Sequence, residues 1–345
     1  MAPDPLRASA EFVDAVADYV RRHEIQVVIP VTDASMPVLL AARDRLGDAM
    51  IPFGSIESFQ TVANKAGLEE SARKLGIAFP RHESVTWAAR GQSLEGRVEF
   101  PVVIKPARSV GESDAGRVKL GVVHAATLRD LHAALAALPS AAYPVMLQNR
   151  IVGPGVGIFL LLWNGRLVAS FAHRRIREKP PSGGVSVYAE SISGLPDLVN
   201  RSHALLAGIG WCGVAMVEYK IDSASGTPYL MEINGRFWGS VQLAIDAGVD
   251  FPRLLVECAL GREPGAQPAY RAGVRVRWWW GDVDHLLARL RHSDAALSLP
   301  PDAPTRWAAV RAFLGASIGG DADSVWRRDD PRPFVTETMA WFHRR

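Results

Sequence analysis

The chain has 345 residues, 48% of them hydrophobic and 22% charged, which suits two or three compact units with large cores and excludes a disordered tail or a small stapled module. The net charge is only +3, and the 39 basic residues are dispersed among 36 acids without the concentrated footprint that nucleic-acid binding leaves. Cys212 and Cys258, the two cysteines, sit in apolar contexts without C-x-x-C spacing, which argues against a zinc module, redox chemistry or a disulfide framework.

No apolar run is long enough to span a bilayer, and Met1-Ala2-Pro3-Asp4-Pro5 has neither the basic nor the apolar part of a secretory signal. A cytoplasmic protein without a membrane partner is the expectation. Residues 10–23 carry Phe12, Val13, Val16, Tyr19 and Val20 at helical spacing and lead into an apolar run at 25–30. A helix over about 35–46 and a short strand at 50–52 complete an αβαβ order typical of a parallel sheet. A doubly wound domain normally opens on its own strand and a glycine-rich turn, and none precedes Pro3. The domain is therefore read as reduced, or as having its natural start upstream.

Residues 64–77 predict a capped helix that stops at Gly76, followed by linker and a short strand to about 96. Residues 100–106 form a strand that delivers Lys105, and 107–116, with Ser109 and Gly111, read as a small polar loop before a strand at about 117–124. Such a loop can lie over a phosphate and offer it backbone N–H groups. A helix at about 126–138, a strand at 145–148, a Gly153-Pro154-Gly155 turn and a strand at 156–162 follow, and Asn164-Gly165 marks a hairpin. Then come the basic segment His173-Arg174-Arg175-Ile176-Arg177, a loop at 180–186 and a helix at 197–208.

Two apolar runs, 214–220 and 229–236, each place an acid near the end and are joined by turn formers, so they read as a β-hairpin with Glu218 and Glu232 side by side. Like charges held this way are destabilising without a cation. Two carboxylates with the amide oxygen of Asn234 are hard ligands suited to Mg²⁺, and Arg236 beyond them would meet an anion that the metal holds. Residues 241–260 read as one or two helices broken by Gly248 and Pro252. From about 265 the pattern weakens to a strand at 275–280 and helices at 284–290 and 307–314, with Trp278-Trp279-Trp280 read as packing rather than substrate stacking.

Lys65, Lys105, the 107–116 loop, the strand around Gln148, Glu218 and Glu232-Ile233-Asn234-Gly235-Arg236 stand in the order and spacing of the ATP-grasp superfamily. The ordered set, over about residues 25–262, most resembles the carboxylate–amine ligase and carbamoyl-phosphate-synthase-like branch. The resemblance implies an α/β chain: a two-lobed α+β ATP-grasp body behind a reduced, doubly wound N-terminal domain without its first strand. Residues 1–62 would be that truncated domain, 63–145 the small lobe with the phosphate-covering loop, and 146–264 the large lobe with the metal site. Residues 265–345 would be an extension that acts as a lid, completes the substrate pocket or makes a homodimer contact.

The same resemblance implies the chemistry. A small-molecule carboxylate attacks the γ-phosphate of ATP, and an amine then attacks the acylphosphate, releasing ADP and phosphate. Lys65 and Lys105 would hold the α/β-phosphates, with Lys105 also able to reach the adenine, Ser109 and Gly111 would cover those phosphates, and backbone groups of Gln148, Asn149 and Ile151 would meet the adenine edge. Glu218, Glu232 and Asn234 would bind Mg²⁺, with Mn²⁺ as a substitute, while Arg236 would stabilise the transferred phosphoryl group. Arg175 beside Ser182-Gly183-Gly184 is the candidate receptor for the acceptor carboxylate or acylphosphate, since a fork donor next to backbone N–H groups suits a planar anion. Two positions depart from the family: Asn149 and the following Gly153–Gly157 stretch lack the acids that often bind ribose, and Gly235 replaces the commoner proline. A kinase or carbamoyl-phosphate-type synthase, and a non-catalytic ATP-binding regulator, are the alternatives.

Overall fold

Apolar residues at helical spacing put Val13, Ala17 and Val20 on the buried face of α1 (Ser9–His23), which packs beside α2 (Ser35–Ala41). The computed structural model describes residues 2–108, 110–113, 116–265, 269–300, 302–319 and 321–344. The strands expected at 25–30 and 50–52 shrink to one parallel bridge, Val27 to Met50. Pro30 and Pro52 end each run and have no N–H to extend a ladder. Next, α3 (Ile56–Ala63), which the sequence reading passed over, is capped by the Ser55 side chain accepting from Ser58 N. The helix expected at 64–77 divides into a 3₁₀ turn, Lys65–Gly67, and α4 (Leu68–Lys74), and ends before Gly76 at φ +64°.

The next unit holds β1 (His82–Val85), β2 (Val102–Pro106), β3 (Val110–Ser113), β4 (Gly116–Lys119), β5 (Val123–Ala125), α5 (Leu128–Ala137) and β6 (Val145–Asn149). An antiparallel sheet runs in the order β1-β6-β2-β5, while among the described residues β3 and β4 form a two-stranded sheet of their own. Residues 110–113 of the loop expected at 107–116 are thus one arm of a hairpin, and the strand expected at 117–124 is two strands serving different sheets. Ser109 lies outside the described residues.

The largest sheet collects β7 (Gly155–Trp163), β8 (Arg166–Lys179), β9 (Val185–Ser191), β10 (Gly213–Ile221) and β11 (Pro228–Asn234), with α6 (Pro196–Gly208), α7 (Val241–Ala247) and α8 (Phe251–Ala259) completing the unit. Asn164 and Gly165, both at positive φ, make the tight turn between β7 and β8. The C-terminal segment adds β12 (Arg275–Arg277), α9 (Trp279–Arg291), α10 (Arg306–Ile318), β13 (Ala322–Asp323) and α11 (Arg332–His343). Its strands extend the sheet to the order β11-β10-β7-β8-β9-β12-β13. The strand expected at 275–280 stops at Arg277, and Trp279 and Trp280 open α9 instead. Trp280 stacks on Trp341 with centroids 4.3 Å apart, so this part of the tryptophan run serves packing.

Two apolar cores result. The larger joins the N-terminal helices, Leu68, Ala72 and Ile77 to the seven-stranded sheet; the smaller gathers Val85, Leu131, Val145 and Leu147. Strand β6 therefore runs through the 145/146 boundary. Among the described residues no helix is long and apolar enough to cross a membrane.

The turn into β7 depends on Gly153, at φ +151°, where an added Cβ would lie 1.8 Å from the Ile221 carbonyl oxygen. Gly153→Ala is expected to lower stability by about 2–3 kcal/mol, read from the midpoint of urea unfolding.

Candidate active site

Antiparallel pairing sets Glu218 of β10 directly opposite Glu232 of β11, with a register shift just after Glu218. Asn234 Nδ2 donates to Glu232 Oε1 at 3.1 Å, which leaves its amide oxygen to accept from Arg236 Nη2 at 3.0 Å. Buried Lys65 places Nζ 3.2 Å from Glu232 Oε2, and the backbone N–H of the same residue donates to the Ala107 carbonyl. The turn that carries Lys65 is thereby tied to the start of the hairpin segment. Lys105, near the end of β2, faces the same carboxylates.

The two carboxyls are pushed in opposite directions. Burial works to raise Glu232, but Lys65 and Lys105 outweigh it and hold the group below the usual carboxylate range. Burial raises Glu218, and the nearby Glu232 and Glu178 add to that against the opposing pull of Arg175. Burial also brings Lys105 down to about 8, despite Glu232 and Glu218. Lys105 is therefore charged below that pH and neutral above it, whereas a solvated lysine stays charged to about 10.5. Affinity of the free protein for a triphosphate is expected to fall as pH rises through about 8. Titration with a fluorescent ATP analogue checks this, and Lys105→Arg should flatten the profile.

Both arginines named from the sequence are engaged within the protein. Arg236 donates from Nε and Nη2 to the two oxygens of Asp33, at 2.9 and 2.8 Å. Arg175 makes a forked contact with Glu218 and also donates to Glu178 Oε1 at 2.8 Å. Instead of facing an open anion site, Arg175 neutralises a proposed metal ligand. Asp33 escaped the sequence reading; its signal was an acid just beyond the apolar run at 25–30, since ligands of open α/β sheets gather outside the carboxyl ends of strands.

Gln148 is fully buried, and neither its amide nitrogen nor its oxygen has a partner among the described residues. It lines a cavity of about 440 Å³ with Lys105, Ile151, Met231, Glu218 and Glu232. A donor and an acceptor left open on a cavity wall suit the edge of an aminopurine. Asn149 lines the same cavity, and its side-chain Nδ2 donates to Glu99 at 2.9 Å. Gly111 lines a second cavity, of about 790 Å³, between α2, α3 and the segment 140–144. There an added Cβ would stand 2.3 Å from the Ala141 carbonyl oxygen, so close backbone approach requires glycine. Lys65 lines this second cavity, Lys105 the first, and Glu232 and Asn234 line both.

Among the described residues no three His, Cys, Asp or Glu side chains cluster as a metal site. The donors present are two carboxylates and an amide. They fit a hard divalent cation, which Glu218, Glu232 and Asn234 would hold. In the structure the positive charge at these carboxylates comes from Lys65 beside Glu232 and Arg175 beside Glu218.

Residues 142–281 match a family model described as ATP-grasp in the biosynthetic pathway with Ter operon. No curated protein matches the sequence. Among solved structures, the L-amino acid ligase from Bacillus licheniformis is similar with a TM-score of 0.60 at 18% identity, over 77% of this chain and 64% of that one. The biotin carboxylase from Campylobacter jejuni, in a β,γ-ATP complex, gives 0.61 at 14% identity over 78% and 62%. The biotin carboxylase domain of the Hydrogenobacter thermophilus 2-oxoglutarate carboxylase, a dimer with MgADP, ADP and bicarbonate, gives 0.61 at 13% identity over 77% and 61%. The chain thus spans under two thirds of the length of each, and at such identities the likeness is one of fold.

Proposed function

The chain has the ATP-grasp fold, and from that premise we propose that it is an ATP- and Mg²⁺-dependent ligase joining a carboxylate to an amine. The observation that carries this reading is the meeting of two cavities at Glu232 and Asn234. One has the open amide of Gln148 for a base and Lys105 for phosphates. The other, lined by Val38, Ala41 and Phe59 together with Gln60 and Asn64, has room for an acceptor.

In the reaction, a carboxylate oxygen bonds to the γ-phosphorus as the bond to the β-phosphate oxygen breaks and ADP leaves. The amine nitrogen then bonds to the acyl carbon, phosphate leaves, and the nitrogen gives up its proton. Phosphoryl transfer is largely positioning and charge neutralisation. Lys105 and Lys65 approach from opposite cavities to neutralise the phosphates, and Asp33 holds the Arg236 fork against the end of β11. Mg²⁺ bound by Glu218, Glu232 and Asn234 would supply charge neutralisation of the phosphate oxygens.

Incubation with ATP, Mg²⁺ and a panel of carboxylates and amino acids should release ADP and phosphate in a substrate-dependent way, with a condensed product by mass. A stable phosphorylated product without free phosphate would replace the ligase by a kinase. Nucleotide binding with no turnover on any substrate would leave a regulator. Asp33→Asn, which weakens the charge-assisted hold on Arg236, is expected to lower kcat about tenfold with little change in the KM for ATP.

A further inference from the structure

Arg175 lies on β8 and Glu218 on β10, with β7 between them. The side chain crosses β7 over Gly155, where an added Cβ would stand 3.0 Å from Arg175 Cδ. Gly155 thus clears a path for the guanidinium across the sheet. Arg175 is 8% exposed and Glu218 13%, so their pairing is shielded from water. The same guanidinium donates to Glu178 Oε1 at 2.8 Å and to the Gly184 carbonyl at 3.1 Å, on either side of the turn between β8 and β9. One cation therefore ties a candidate metal ligand to both flanks of a loop that lines the nucleotide cavity.

A divalent cation on Glu218 would compete with Arg175 for the two carboxylate oxygens, and its charge would repel the guanidinium. We infer that Arg175 is a positioning residue that holds Glu218 and the 180–184 loop together until metal binding displaces it, so that occupancy of the metal site is transmitted to the loop. The inference rests on the metal assignment in the ligase reading.

Hydrogen exchange over residues 180–186 tests it, on the full chain saturated with a non-hydrolysable ATP analogue, in EDTA and then in Mn²⁺. In the wild type, Mn²⁺ should speed exchange about threefold or more. Arg175→Met should exchange fast from the start and ignore Mn²⁺, while its affinity for Mn²⁺, read by electron paramagnetic resonance, rises about tenfold, equal to about 1.4 kcal/mol. Arg175→Lys keeps the charge but cannot span three partners, so its loop should behave as in Arg175→Met with Mn²⁺ affinity near that of the wild type. Should Arg175→Met fail to fold, Glu178→Ala removes one of the two loop contacts and leaves the one to Gly184, so it should speed exchange in EDTA and shrink the Mn²⁺ response, each by less than Arg175→Met does. Mn²⁺ binding to the wild type without any loop response overturns the latch and leaves the metal site standing. Absence of Mn²⁺ binding in the wild type and every variant removes the metal assignment, and the inference with it.

Discussion

Replacing Glu232 by glutamine is expected to reduce ATP turnover by a factor on the order of 10²–10³ while the protein stays folded. The amide keeps the shape of the side chain and can still accept the hydrogen bond from Asn234 Nδ2. What goes is the negative charge that Lys65 and Lys105 surround, together with one of the two carboxylates offered to the metal. Because those lysines hold Glu232 below the usual carboxylate range, it is ionised across all working pH, and no change of pH restores the variant. Steady-state ADP release, set beside nucleotide affinity, separates lost chemistry from lost binding. Turnover equal to wild type would remove Glu232 from the site and with it the junction of the two cavities.

The Glu218–Glu232 pairing was legible because it is local: two apolar runs, a turn-rich connection and an acid near each end define a hairpin register within about twenty residues. The Asn164-Gly165 turn was readable for the same reason, since its chemistry is confined to a dipeptide that tolerates positive φ. Lys105 could be found from the apolar strand that delivers it.

Asp33 and Arg236 are 203 positions apart, and nothing local in either segment specifies the other. Arg175 illustrates a different limit. Its residue type was right for an anion, but whether that anion is a substrate or Glu218 depends on the bare backbone of β7 beneath it. The N-terminal strands shrank to one bridge because the apolar runs look extended in sequence yet end at Pro30 and Pro52, which have no N–H to carry the ladder further. A strand as short as β13 shows no period at all and exists because the edge of β12, itself laid on β9, is there to receive it.

The largest stability effect is expected away from the nucleotide, at Asp282. It is fully buried and accepts from Arg177 Nε and Nη2 at 2.6 and 2.7 Å and from Arg277 Nε at 2.5 Å. Arg177 belongs to β8, Arg277 to β12 and Asp282 to α9, so a single carboxylate joins the C-terminal segment to the central sheet. Arg177 also rests on the Tyr188 ring at 4.4 Å and Arg277 on Phe313 at 4.0 Å, contacts that favour the cations without replacing the anion. Asp282→Ala leaves two shielded guanidiniums facing each other, and breaking a buried pair in this way costs about 3–5 kcal/mol. Asp282→Asn, which retains an acceptor, should cost less. The damage should also reach the candidate site, because His285 of α9 contacts the Glu178 carbonyl at 2.6 Å and Lys179 pairs with Asp284. Urea unfolding gives the stability change, and hydrogen exchange in β8 and the following loop gives its spread. A loss under about 1 kcal/mol would mean that the segment is anchored through its tryptophans instead.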